Sequence, residues 1–115
     1  MEYIRFIKFN SIDDFLKKEG EIGGLIDQTI TDFQGSIFEN LVKAKTLKQV
    51  HQNPKIFSLR IPYKKNRFRF FGPKLNSDIY LVWAIKKKTA KIAPREMDQA
   101  IKITKAFLQN IEKSR

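Results

Sequence analysis

The sequence predicts a small α+β fold: a mostly antiparallel sheet of about four strands, with two or three N-terminal helices and one C-terminal helix packed on it. Three observations carry this expectation. The stretch IFSLRIPYKKNRFRFFGPKLNSDIYLVWAIKKKT alternates strand-like runs with turn signals. The segments 22–34 and 97–111 place apolar residues at helical spacing. A length of 115 residues supplies one core and not two, so one domain over 1–115 is expected.

Taken in order, Glu2–Phe9 alternates loosely and reads as a first strand ended by Asn10 and Ser11. Ser11 is placed to cap a helix, with Asp14 as its acidic partner and Asp13 at the positive end of the dipole. Gly20, Gly23 and Gly24 then break the pattern, which predicts a short helix, a kink and a second helix over 22–34. Gly35 is its stop. Phe38, Leu41 and Val42 suggest a further helical turn, and Lys43–Pro54 reads as a basic connector closed by the Asn53-Pro54 turn.

The meander follows, with strands expected over Ile56–Ile61, Arg67–Phe71 and Ile79–Ile85. Side chains alternate between faces with period two. Phe57, Leu59, Ile61, Phe68 and Phe70 therefore share one face, while Ser58, Arg60, Arg67 and Arg69 share the other. The expected sheet has a greasy reverse and an open arginine face. Pro94 opens the last helix, whose stripe from Met97 to Ile111 is expected to pack on the greasy face, leaving all helices on one side.

Charge is strongly segregated. The net charge is +11, yet residues 1–39 carry eight acids against four bases, while residues 40–95 carry fifteen bases against one acid, Asp78. A field of this kind attracts polyanions and releases counterions on binding, which makes nucleic acid the expected partner. No basic amphipathic helix argues for a membrane surface, no apolar run approaches the ~20 residues of a bilayer span, and MEYIRFIKF lacks the pattern of a secretory leader. Zero cysteines exclude a disulfide framework and thiolate metal sites, and fit a cytoplasmic setting.

With one histidine and no HExxH, Walker or Gly-x-Ser-x-Gly motif, neither a metal nor a cofactor is expected. Chemistry in the basic half would rest on arginine, lysine, hydroxyls or His51. RNA allows that, because its own 2′-hydroxyl is the nucleophile. The protein need only align it, neutralise the phosphoryl oxygens and help a proton leave. Arg60, Arg67, Arg69, Lys64, Lys65, Tyr63 and Phe71 supply guanidinium, ammonium and stacking groups on one sheet face or its edge turn.

The order SLRI (58–61), RFRFF (67–71) and YLVWAIKKKTAKIAP (80–94), followed by an apolar helix, resembles the RelE/ParE toxin superfamily, and most its HigB-like branch. The resemblance covers about residues 38–108. It implies a RelE-like fold and a type II toxin-antitoxin toxin that cleaves ribosome-bound messenger RNA without metal. The implied partners are messenger RNA, the ribosome and a cognate helix-turn-helix antitoxin of HigA-like kind, with operator DNA reached only through that antitoxin. Carried over by position, Arg60, Arg69 and Lys87 are the expected catalytic residues. Lys64, Lys65, Arg67, Lys86, Lys88, Lys91, Tyr63 and His51 are the expected RNA-binding set, and Thr89 and Pro94 complete the run. Trp83 stands where histidine is common, and no Tyr or His follows Tyr80. A ParE-like gyrase poison and a non-catalytic basic RNA-binding module are the alternatives.

Overall fold

The computed structural model describes residues 1–113, which form two sheets and four helices. In chain order these are β1 (Arg5–Lys8), α1 (Asn10–Lys18), α2 (Glu21–Asp32), α3 (Phe38–Lys43), β2 (Leu47–Gln52), β3 (Lys55–Tyr63), β4 (Asn66–Gly72), β5 (Lys74–Leu75), β6 (Asp78–Leu81), β7 (Trp83–Lys87) and α4 (Pro94–Lys113). The larger sheet is antiparallel with order β2-β3-β4-β7, and the smaller has order β1-β6-β5 with β1 parallel to β6.

The fold class is as expected, and several details differ. The connector before the meander contains β2, whose alternation is hidden by an irregularity between Gln49 and His51. Leu47, fully buried, anchors it. The expected strand Ile79–Ile85 is divided at Val82, whose N–H donates to the Phe71 carbonyl at 2.8 Å. The cause lies across the ladder at Gly72, where a Cβ would stand 1.5 Å from the Tyr80 carbonyl oxygen. Only glycine permits so close a crossing. Ser11 does not cap α1 but sits in its first turn and donates to the Val82 carbonyl at 3.2 Å.

Helices cover both faces of the larger sheet, not one. On the first face, Leu59, Ile61, Phe68 and Phe70 join Ile12 and Leu16 of α1 and Ile26 and Ile30 of α2 in the main core. Phe15 sets its ring edge-on to Phe68 and Phe70, with centroids 6.3 and 6.1 Å away. That side is full, so α4 takes the other. Ile56 and Phe71 lie on the arginine face but at its apolar end, and both are sealed beneath Ala100. Val50, Trp83, Ile85, Ile92 and Ile101 pack around them in a second core. The far end of α4 reaches the smaller sheet, where Phe107 meets Tyr80 and Phe9 with ring centroids 5.2 and 4.7 Å apart. The arginine face is thereby split into a covered apolar end and a polar end beside the loop 88–93.

Candidate nucleic-acid interface

Strand pairing sets the geometry of the polar end. Arg60 on β3 lies directly opposite Arg69 on β4. The Arg60 N–H donates away from β4, to the Thr46 carbonyl at 2.8 Å. Toward β4 the two arginines therefore form a non-hydrogen-bonded pair, the type with Cα atoms about 4.5 Å apart and the closer side chains. Like charges so placed repel, and none of the ion pairs among the described residues includes Arg60, Arg67 or Arg69.

Arg69 is buried, with 8% of its surface exposed, so it does not lie on an open face as the sequence suggested. It donates to Ser58 Oγ at 3.5 Å and to the Ala90 carbonyl. Arg67 donates to the Lys88 carbonyl at 2.9 Å. Two arginines thus hold the 88–93 loop against the sheet by its carbonyls. Burial first, and then the charges of Arg60 and Arg67, pull the Arg69 pKa below its ordinary value, against the opposing pull of Glu96. An arginine keeps its charge under such a shift. The Nε atoms of Arg60 and Arg69 are buried and have no hydrogen-bond partner. Unsatisfied buried donors are costly, so the pair is held at an energetic cost.

Above the pair opens a cleft of about 480 Å³. Lys45, Lys48, Arg60, Arg69 and Lys91 line it together with Ser58, Gln49, Ala90, Val50, Ile92 and Met97. No carboxylate is among these lining residues. Elsewhere six acids pair with other cations: Glu2 with Lys74, Asp13 and Asp27 with Lys8, Glu19 with Lys86, Asp78 with Arg5 and Glu96 with Lys87. None of the five cations that line the cleft belongs to an ion pair among the described residues.

The structure sorts the remaining sequence candidates. Lys87, expected to be catalytic, is turned to Glu96 at 2.5 Å and to the Lys91 carbonyl, and its side chain is 13% exposed. Glu96 also accepts the Ala93 N–H at 2.8 Å, so this pair is a clasp across the loop. Lys86 points to the opposite sheet face, where it pairs with Glu19, just past α1, at 2.8 Å. Lys88 is exposed beside the loop. Lys64 and Lys65 form the exposed tip of the β3–β4 hairpin, Lys64 with a positive φ of 55° and its ammonium 5.6 Å from the Tyr63 ring. At about 3.3 Å of rise per residue, that tip stands more than 10 Å along the strand from Arg60.

Tyr63 packs against the main core, on the reverse of the arginine face. Phe71 is sealed under α4, 5.4 Å from the Trp83 ring, and offers no surface to a base. His51 lies at the far end of β3, opposite Ile56, where its Nδ1 donates to the Pro54 carbonyl at 2.9 Å. Of the sequence candidates, Arg60, Arg69 and Lys91 come together in the cleft, with Arg67 bracing its loop. Lys45 and Lys48 were missed as individuals. The signal for them was the charge of the 43–54 segment; the unrecognised strand β2 hid Lys48, and Lys45 stands in the turn before it.

Among the described residues no group of three or more His, Asp or Glu side chains is placed to hold a metal ion. No helix among them is long and apolar enough to cross a membrane. No family model matches the chain, and neither a curated protein nor a solved structure matches it.

Proposed function

We propose that the chain is a messenger-RNA endoribonuclease of the toxin type, acting on ribosome-bound RNA in the cytoplasm and restrained by a helix-turn-helix antitoxin. The single observation that supports it best is the Arg60–Arg69 pair, in no ion pair among the described residues, in a cleft with three lysines and no lining acid. In this proposal the 2′-oxygen attacks the adjacent phosphorus and the bond to the 5′-oxygen breaks. The products are a cyclic phosphate and a 5′-hydroxyl. The 2′-proton passes to solvent, and the departing oxygen takes one from it. Arg60 and Arg69 hold the phosphoryl oxygens as charge grows on them. Lys45, Lys48 and Lys91 bind the flanking backbone in place of Lys86 and Lys87.

A second reading is favoured by one observation. No imidazole, phenol or carboxylate lines the cleft among the described residues, so a dedicated general acid and base are missing from the site. On that reading the chain binds RNA and does not cut it. Inducible expression with mapping of RNA 5′ ends separates the two. The nuclease predicts new ends in translated messages and growth arrest, both lost in Arg60→Ala. New ends that persist at wild-type level in Arg60→Ala sink the site assignment. Salt-sensitive RNA binding with no new ends and no arrest leaves the binding module standing.

A further inference from the structure

We infer that the cleft takes one nucleotide of a single strand, its phosphate at Arg60 and Arg69 and its base against Val50, Ile92 and Met97. This rests on the proposal that the same cleft binds RNA. Its volume of about 480 Å³ lies within the ~300–1,000 Å³ typical of pockets that enclose a small ligand. Two kinds of wall meet in it. One is cationic, made by Lys45, Lys48, Arg60, Arg69 and Lys91. The other is apolar. A bare phosphate has no use for the apolar wall, and an apolar molecule has none for five cations. A nucleotide joins a charge to a flat ring within one small unit, and that is the shape of this lining.

The apolar wall is not merely the edge of the second core. Val50 and Ile92 pack on that core, whereas Met97 lines the cleft without belonging to it. A half-buried thioether left over in this way is a good surface for an aromatic ring. In an A-form duplex the bases are turned inward and cannot reach such a wall. The substrate is therefore a single strand with one base turned out.

The test titrates the full chain at low salt with adenosine 5′-monophosphate and with ribose 5-phosphate, which carry the same charge and differ by the base. Burying roughly 55 Å² of apolar surface corresponds to about tenfold in affinity, so the nucleotide is expected to bind about tenfold more tightly. The methyl resonance of Met97 should move upfield with the nucleotide alone, with Met1 as the internal control. In the double variant Val50→Ala, Met97→Ala the gap should shrink to about threefold or less while ribose 5-phosphate binds as before, which also shows that the variant is folded. Equal affinities with an unmoved Met97 signal would overturn the base site and leave phosphate binding at Arg60 and Arg69 intact. Failure of both probes to bind the folded protein would overturn both.

Discussion

Arg60 and Arg69 stand directly opposite one another across β3 and β4, and neither has a carboxylate partner among the described residues. The fold therefore carries a like-charge pair at the floor of its cleft, at a cost in stability. Arg60→Ala is expected to leave the thermal midpoint unchanged or slightly raised, because it relieves repulsion at Arg69. RNA affinity should fall by about tenfold to a hundredfold, the worth of a charged hydrogen bond. Thermal melts alongside filter binding check the pair of outcomes. A loss of stability with unchanged affinity would show that Arg60 is a structural residue. Arg69→Ala is the poorer probe, since Arg69 also holds Ala90.

Glu96 offers a test in which two physical effects have opposite sign. It gathers Lys87 and the Ala93 N–H, and so fixes the loop whose Ala90 carbonyl holds Arg69. Removing an acid beside a basic cleft should, by charge alone, tighten RNA binding. Loss of the clasp should loosen it. Glu96→Gln is expected to weaken binding severalfold, with Glu96→Asp recovering part of it. Tighter binding in Glu96→Gln would mean that the carboxylate only tempers the field.

The same carboxylate sets an acid limit. Burial pushes the Glu96 pKa up, but the Lys87 ammonium and the Ala93 N–H outweigh it and hold the value below the ordinary 4.5. A depressed folded pKa gives stability that is fully present above the unfolded value and is lost as pH falls through the folded one. Acid unfolding followed from pH 6 downward should show a smaller drop below about pH 4.5 in Glu96→Gln than in the wild type. Identical acid limbs would remove Glu96 from the account.

The lysines divide by salt dependence. Removing one cation that neutralises a phosphate makes the plot of log affinity against log salt shallower by about 0.7 for a single strand. Lys48→Gln, at the cleft, is expected to show that decrease. Lys86→Gln, on the far face and paired with Glu19, is expected to show none. A reversed order would move the RNA path to the other side of the sheet.

Gly72→Ala tests the crossing that divides β6 from β7. Its Cβ would meet backbone 1.5 Å away, which no side-chain rotation relieves. Destabilisation beyond about 3 kcal/mol is expected, read as loss of the folded protein in denaturant titration.

Much of this was legible because period-two alternation needs no long-range knowledge. Phe68 and Phe70 against Arg67 and Arg69 declare their faces within one strand, and the charge segregation locates the basic half. The placement of α4 was not legible. Its stripe suits either face, and the face it does not take is filled by α1 and α2. Lys87 was equally opaque, because its fate depends on Glu96, nine residues away and past a loop. The irregularity at Gln49 to His51 hid β2, and Lys48 with it.

The alternation in β4 also guards the chain against mispairing. Sliding β4 by one residue over β3 would drive Arg67 and Arg69 into the main core and set Phe68 and Phe70 on the cationic face. Guanidinium groups cannot shed their charge to survive there. The arginines of the candidate site thus also help fix the register of the hairpin, and a neutral version of this strand would lose that check.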